Sequence, residues 1–170
     1  MKVEANAESS AGIPIEDVVL DKVNRRLLAA LLVDARCPVS ELARAVGMST
    51  PAVRARLRKL EDSGVIRGYR LDVDPAAVGL PVSAWVRVRP GPGQLTRLAE
   101  LATDTPEVSE CHRVTGEDCF LLRVHVPTVE SLENVLDRFL AGGQTNSAII
   151  VSTPVPPRAV VPRAPVPPSS

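Results

Sequence analysis

The clearest chemistry in this sequence belongs to a short basic segment. Arg54, Arg56, Arg58 and Lys59 fill four of six consecutive positions. A guanidinium group offers a rigid fork of N–H donors that matches both the edge of guanine and a phosphate, so the run suits nucleic acid. A basic run on its own, however, is more often a solvated helix face. The elements that position these side chains therefore decide between the two interpretations.

Those elements predict a helix-turn-helix. Before the basic segment, Leu42 and Val46 lie one helical turn apart, and Gly47 suits the left-handed conformation that ends a helix. Ser49 is a favourable N-cap for the next helix, and Pro51 suits its first turn. Apolar residues then repeat at helical spacing, at Val53, Leu57 and Leu60. The helix after the turn is the one that enters the major groove in this motif.

One face of that second helix is expected to read DNA. Arg54 and Arg58 lie one turn apart and opposite the apolar positions, and either Arg54 or Arg58 suits a bidentate contact with guanine. Either Thr50 or Ala52 suits contact with a thymine methyl group, and the other basic residues suit phosphates. The residues predicted to contact DNA are Ser49, Thr50, Pro51, Ala52, Arg54, Arg56, Arg58 and Lys59.

Charge is distributed unevenly along the chain. The protein has 170 residues and a formal net charge of zero. From Leu20 to Arg70 there are eleven Lys and Arg against five acids, so this segment carries six net positive charges and the remainder six net negative charges. Such asymmetry is expected when one module meets phosphates and another does not. Arg67 and Arg70 are further candidates for phosphate contacts.

Beyond Pro75 the apolar spacing predicts elements in the order β, α, β, β, α, β. Strands are expected at 82–88, 108–115, 119–126 and 147–152, and Gly116 is expected to turn the middle two into a hairpin. Helices are expected near 95–102 and 128–139. The second of these helices is predicted to bury Val129, Leu132, Leu136 and Phe139. This order is that of a ferredoxin-like sandwich, whose helices cover one face of the sheet.

The predicted organisation is α+β. It comprises a disordered arm (1–16), a winged helix-turn-helix (17–72), a linker (73–80), a ferredoxin-like domain (81–153) and a proline-rich disordered tail (154–170). The wing is expected from a short strand within residues 65–71. Seven of the last seventeen residues are proline, which disfavours helix and central strand. Neither a membrane span nor a secretion signal is predicted, and three cysteines suggest reduced thiols, so we expect a cytoplasmic protein.

The sequence resembles the Lrp/AsnC ("feast/famine") family of transcriptional regulators. The resemblance is carried by LDKVNRRLL at 20–28, ELARAVGMS at 41–49, GVIRGY at 64–69 and VSECHRVTGEDCFLL at 108–122. It implies that the second domain is of the RAM type, forms dimers and often assembles them four to a ring, and that the protein wraps or bends double-stranded DNA. It also implies an amino-acid effector bound between protomers near the hairpin turn, at Gly116, Glu117, Asp118, Cys119 and Phe120.

Two positions depart from the family pattern. The family commonly has an Asp immediately before the aromatic residue of the hairpin, where this chain has Cys119. A neutral thiol does not replace a carboxylate as the partner of an α-ammonium group. The second departure is Pro38, which stands where the family often has a Ser or Thr cap for the second helix.

Other chemistries are less well supported by the sequence. Cys111, His112, Cys119 and His125 lack the spacing of a zinc site, so no metal or other cofactor is expected. A disulfide between Cys111 and Cys119 would require them to face each other across the hairpin. There is no phosphate-binding glycine loop or nucleophile elbow, and an enzyme is not expected. The alternative function is a metabolite- or thiol-sensing module whose helix-turn-helix serves protein interaction.

Overall fold

The structure, a computed structural model, describes residues 20–158 and residue 160. The described residues divide into two compact units, one ending at Arg70 and one spanning Leu71–Pro156. The predicted arm at 1–16 and most of the predicted tail lie outside the described residues. Residues 151–158 contain neither helix nor strand. No helix in the described part of the chain is both long enough and apolar enough to span a membrane.

The first unit contains three helices, α1 (Lys22–Val33), α2 (Val39–Val46) and α3 (Thr50–Asp62). Gly47 ends α2 with a φ of 70°, a conformation that a residue without a Cβ adopts at little cost. Pro38 precedes α2 without any side-chain cap. One apolar cluster joins the three helices, and its buried members are Leu27, Leu42, Ala43, Val53 and Leu57. The helix-turn-helix predicted from the sequence is confirmed.

The prediction of a short strand in the wing is wrong for this chain. Residues 65–71 contain no strand. Instead, the Ile66 N–H donates to the Leu60 carbonyl oxygen at 2.9 Å, and the Ile66 side chain packs on the helical core. The segment therefore folds back on the end of α3 rather than lying beside a partner strand, which a β-ladder requires.

The second unit is a four-stranded antiparallel sheet with two helices. A short 3₁₀ helix, Ala76–Val78, lies within the predicted linker and precedes the first strand. The elements then follow in the order β1 (Val82–Pro90), α4 (Leu95–Asp104), β2 (Val108–Arg113), β3 (Phe120–Val126), α5 (Val129–Leu140) and β4 (Gly143–Ile149). The strand order across the sheet is β2-β3-β1-β4. This is the ferredoxin-like topology that the sequence predicted.

Both helices pack on the same face of this sheet. Alternate residues of β1 and β3 point into the core, as their period of two requires, and they meet Leu98 and Ala102 from α4. Buried strand residues in this core are Ala84, Val86, Val88, Phe120, Leu122, Val124 and Val126. The other face of the sheet carries Trp85, Arg87 and Leu121.

Two predictions for the second unit need correction. The last strand begins at Gly143, four residues before the predicted start, and ends at Ile149. It is an edge strand with an exposed side, and its first half is polar. Because that half has no apolar alternation, the prediction placed the strand at the apolar residues that follow. In α5, Val135 is buried with Leu132 and Phe139, whereas Val129 is 48% exposed. Val129 is the first residue of the helix.

Candidate DNA-binding surface and effector turn

The outward face of α3 carries three exposed cations. Arg54, Arg58 and Lys59 are exposed, and they lie opposite the side chains that α3 buries. Those buried residues are Val53, Leu57 and Leu60. None of the three cations has a resolved partner among the ion pairs of the described residues. Packing of the apolar stripe therefore fixes the helix so that these charges project into solvent.

The beginning of α3 is built as a capped helix start. The Ser49 side chain accepts a hydrogen bond from the Ala52 N–H at 3.4 Å, and Pro51 occupies the first turn. Ser49 and Pro51 are exposed, whereas Thr50 and Ala52 are half-buried. The first turn of a helix presents N–H groups and the positive end of the helix dipole, both of which favour a phosphate.

Arg56, predicted as a phosphate contact, is directed toward α1. Its Nη1 lies 2.6 Å from Asp21 Oδ2 and donates to Asn24 Oδ1 at 3.0 Å. Asp21 also caps α1 by accepting the Asn24 N–H at 2.7 Å. The Arg56 side chain is 32% exposed, whereas Arg54 and Arg58 of the same helix are exposed residues. Its guanidinium thus joins α3 to the start of α1, and we treat it as a structural residue.

Replacing Asp21 is expected to destabilise the first unit. Asp21→Ala removes an N-cap and leaves Arg56 without its carboxylate, at a cost of about 1–2 kcal/mol in the free energy of unfolding. Asp21→Asn keeps the cap and loses only the charge, which should cost less than about 1 kcal/mol because the pair is partly exposed. Thermal and urea unfolding of the full chain, followed by circular dichroism, measures both.

The pH dependence of the stability lost in Asp21→Asn tests whether the ion pair with Arg56 is its cause. The backbone N–H of Asn24, opposed by partial desolvation and aided by Arg56, lowers the pKa of Asp21 below its ordinary value. A lowered carboxyl pKa stabilises the fold above the unfolded-state pKa, and that stabilisation is lost as the pH falls through the folded value. The difference between wild type and Asp21→Asn should therefore shrink below about pH 4. Asp62→Ala is the control, and a difference that persists in acid would contradict the ion-pair explanation.

The hairpin turn between β2 and β3 places two acids beside an arginine of β1. The Val114 N–H donates to the Cys119 carbonyl oxygen at 2.9 Å and closes the turn. Glu117 Oε2 lies 2.7 Å from Arg89 Nη2, and Asp118 Oδ1 lies 3.5 Å from Arg89 Nε. The sequence did not single out Arg89, because only the register of β1 against β3 brings it to the turn.

The remaining predicted effector residues do not present charge. Gly116 adopts a φ of 110°, which favours glycine at the tip of the turn. The Cys119 Sγ lies 3.5 Å from the Gly116 carbonyl oxygen and 3.6 Å from that of Glu117. Phe120 is only 2% exposed and belongs to the core beneath the helices. The charged groups that the turn offers to solvent therefore come from Glu117, Asp118 and Arg89.

The cysteines do not form the pair that the sequence left open. Cys111 is paired with Leu122, and Cys119 lies opposite Val114, so the two cysteines are not opposed across the hairpin. Partial desolvation raises the pKa of Cys111, and desolvation followed by the carboxylates of Glu41 and Asp34 raises that of Cys37. A raised thiol pKa lowers the fraction of reactive thiolate. Among the described residues, no three His, Cys, Asp or Glu side chains are grouped so as to hold a metal ion.

Comparisons with known proteins cover both units. A model of the AsnC-type helix-turn-helix domain matches residues 20–61, and one of the Lrp/AsnC ligand binding domain matches residues 83–160. The chain is similar to the HTH-type transcriptional regulator LrpA of Mycobacterium tuberculosis, with 38% identity over 137 residues, 79% of this chain and 91% of that protein. It is also similar to LrpC of Bacillus subtilis, with 30% identity over 133 residues, 78% of this chain and 92% of that protein.

Solved structures share the fold of this chain. The crystal structure of M. tuberculosis LrpA aligns with a TM-score of 0.76 and 36% identity, covering 84% of this chain and 100% of that one. A feast or famine regulatory protein from M. tuberculosis, complexed with L-methionine, aligns with a TM-score of 0.75 and 36% identity, covering 85% and 100%. Because two family models together span most of its length and its relatives match across both domains, the chain belongs to the Lrp/AsnC family of transcriptional regulators.

Proposed function

We propose that this regulator binds double-stranded DNA through the outward face of α3, as a homo-oligomer, and that an amino acid bound at the hairpin turn modulates it. The observation that carries the DNA-binding proposal is the exposed position of Arg54 and Arg58 on a helix whose other face is buried. The contact surface comprises Ser49, Thr50, Pro51, Ala52, Arg54, Arg58 and Lys59. Arg56 is left out because its guanidinium is bound to Asp21.

Salt dependence tests whether these cations meet phosphates. Each phosphate that a Lys or Arg neutralises adds about −0.9 to the slope of log affinity against log salt concentration on B-form DNA. Lys59→Ala should weaken binding equally on all DNA sequences and make that slope shallower by about one. The measurement is fluorescence anisotropy of a duplex selected by the wild-type protein. Wild-type affinity that stays constant from low to moderate salt would overturn the proposal.

Self-association is proposed to use the sheet face that the helices leave open. That face carries Trp85 and Leu121, both half-buried, together with charged residues. The Arg123 guanidinium lies 5.9 Å from the centroid of the Trp85 ring and 3.0 Å from Glu110 Oε1. An aromatic residue within a polar frame is typical of a protein interface. Two-fold dimers would require DNA half-sites about one helical turn apart, or a multiple of it.

The effector is proposed to be an amino acid, since a structurally similar feast or famine regulatory protein is complexed with L-methionine and residues 83–160 of this chain match the model of the Lrp/AsnC ligand binding domain. The test is a thermal-shift and mass measurement on the full chain with each standard amino acid, using wild type beside Cys119→Asp. Stabilisation of the wild type with a change in mass supports the proposal. A response of the Asp variant alone would show that this chain has lost amino-acid sensing, and no response of either would overturn the effector proposal.

A further inference from the structure

Both histidines of the chain lie on the sheet face that the helices leave open. The sequence contains two histidines, His112 and His125. His112 of β2 is paired with Leu121, and His125 lies on the same side of β3, opposite Ser83 of β1. Because Leu121 belongs to the open face, both imidazole rings belong to it as well. Histidine is the side chain whose ordinary pKa lies between about pH 5 and 8, so its titration in this chain is concentrated on one surface.

His125 is held in its neutral form. The residue is 8% exposed, and its Nδ1 lies 2.7 Å from the Ser83 hydroxyl oxygen. Desolvation, and then the positive charge of Arg123, lower the pKa of His125, and the carboxylate of Glu110 opposes them. At neutral pH the ring therefore carries no charge. A proton taken up in acid would place a second cation beside the Arg123 guanidinium.

One carboxylate, that of Glu110, serves the positive groups around both histidines. Its Oε1 lies 3.0 Å from Arg123 Nη1, and its Oε2 lies 3.3 Å from His112 Nε2. While His112 is neutral, Glu110 balances the charge of Arg123 alone. Protonation of His112 gives the same carboxylate a second cation to balance, and protonation of His125 gives it a third.

The other charged groups around this face are already engaged. Arg89 is paired with both acids of the hairpin turn. The Glu107 carboxylate lies 3.0 Å from the guanidinium of Arg138 on α5. Asp74 lines the same shallow groove as Arg123, and its carboxylate accepts a backbone N–H of the 3₁₀ helix at 3.0 Å. Each of these carboxylates therefore already has a hydrogen-bond or ion-pair partner.

Charge on the strands and the hairpin turn of this face is balanced while the histidines are neutral. The residues of β4 that lie opposite β1 on this face, at positions 144, 146 and 148, carry no charge. The remaining charged groups that the structure describes there are three arginines and three carboxylates, namely Arg87, Arg89, Arg123, Glu110, Glu117 and Asp118. Because guanidinium groups stay protonated and carboxylates stay ionised above about pH 5, protonation of both histidines adds two uncompensated charges per chain.

We propose that the two histidines make self-association of this regulator sensitive to pH, so that their protonation in mild acid separates subunits joined by the open sheet face. The proposal rests on the proposed function, because it concerns the surface proposed there for self-association. In a two-fold interface both copies contribute the same surface, so the added positive charges of the two chains meet across it. Removing such charges from water without partners is costly. Association must therefore release protons that the separate chains bind in acid.

The test is the dissociation constant of the full-length protein between about pH 8 and about pH 5, at constant ionic strength. Mass photometry over a nanomolar dilution series measures it, and circular dichroism at each pH checks that the fold is retained. Each proton that association must release lowers the association constant by up to about tenfold per pH unit below the pKa of the histidine. We expect the wild type to associate at least about tenfold more weakly at the acidic end of the range.

Substitutions separate the histidines from other effects of acid. His112→Gln/His125→Gln keeps a polar group beside Ser83 but cannot bind the proton, so its dissociation constant should change by less than about threefold over the same range. His112→Lys places a permanent charge beside Glu110 and should weaken association at about pH 8, as acid does in the wild type. If the buried glutamine impairs folding, His112→Gln alone should still reduce the pH dependence. Asn134→His, at an exposed position of α5, is the matched control and should respond to pH as the wild type does.

Trp85→Glu distinguishes this proposal from the one on which it rests. If the wild type is monomeric at every pH, or if Trp85→Glu associates as the wild type does at about pH 8, the open face is not the interface and both proposals fail. If Trp85→Glu prevents association and the wild-type dissociation constant does not change with pH, the interface stands and only the role of the histidines is overturned. A pH dependence that persists in His112→Gln/His125→Gln would overturn that role equally.

Discussion

The double variant Arg54→Ala/Arg58→Ala is expected to lose most of its sequence-specific affinity for DNA. Each bidentate contact with guanine contributes about 1–3 kcal/mol of discrimination, so losing both corresponds to about a 30-fold to a 10⁴-fold loss. The fold should be retained, since both side chains are exposed and alanine favours helix. Anisotropy with a selected duplex and with a scrambled one measures the specific and non-specific affinities separately.

The matched control removes the same charge from the other domain. Arg97→Ala/Arg138→Ala replaces two exposed arginines on the helices of the ligand domain and should leave DNA affinity within about threefold, because long-range electrostatic effects are screened by salt. If instead the α3 double variant keeps its specific affinity, the helix does not read bases. The alternative of a helix-turn-helix that binds another protein would then be favoured.

Gly143→Ala is expected to destabilise the ligand domain more than any exposed substitution. A Cβ at Gly143 would overlap the carbonyl oxygen of Arg89 and lie 3.0 Å from its carbonyl carbon. The overlap is with the backbone of β1, which cannot rotate away as a side chain can. Forcing atoms into a packed site costs about 1–3 kcal/mol, and a backbone clash belongs at the upper end of this range.

The measurement for Gly143→Ala is equilibrium unfolding of the full chain, followed by the fluorescence of Trp85, which lies in the ligand domain. The adjacent Gln144→Ala is the control, because Gln144 is exposed and should change the free energy of unfolding by less than about 0.5 kcal/mol. Equal unfolding midpoints for Gly143→Ala and Gln144→Ala would contradict the predicted clash. They would show that β1 and β4 can move apart at Gly143 without loss of stability. Since the clash falls on Arg89, Gly143→Ala is also expected to disturb the effector turn.

Local signals made the helical part of the fold predictable. A capping serine, a glycine at the end of α2 and a stripe of apolar residues each report on residues within one or two turns, so they can be read without knowing the rest of the chain. The alternation of apolar and polar residues predicted β1 for the same reason, because one face of that strand is buried. Ser49, Gly47 and the buried residues of α3 lie as predicted.

The misplaced elements were those whose environment depends on distant residues. β4 is an edge strand, and its polar residues 144–146 gave no apolar alternation, so the apolar residues after it drew the prediction toward 147–152. The predicted wing strand is absent, since residues 65–71 form no strand and the Ile66 N–H bonds back to the Leu60 carbonyl oxygen of α3. Val135 rather than Val129 lies in the core, and Val129, the first residue of α5, is 48% exposed.

The candidate sites show the same limit. Arg54 and Arg56 look alike in the sequence. Of these two arginines, however, it is Arg56 that binds Asp21, a residue 35 positions away. Arg89 gave no signal, because its two acidic partners follow about thirty residues later and meet it only through the strand register. Phe120 was predicted beside the effector, and its burial became evident only from the helices that cover it. Long-range pairing of this kind is not visible in local spacing.

The burial of Phe120 divides the hairpin into two parts with different hydrogen-exchange behaviour. The amides of β3 are bonded on both sides, to β1 and to β2, and should exchange with solvent deuterium only by opening that requires much of the domain to unfold. The amides of residues 115–118, in the exposed turn, should exchange quickly. Binding at the turn would therefore be recorded as slowed exchange in one short peptide, while the strand that follows keeps its protection throughout.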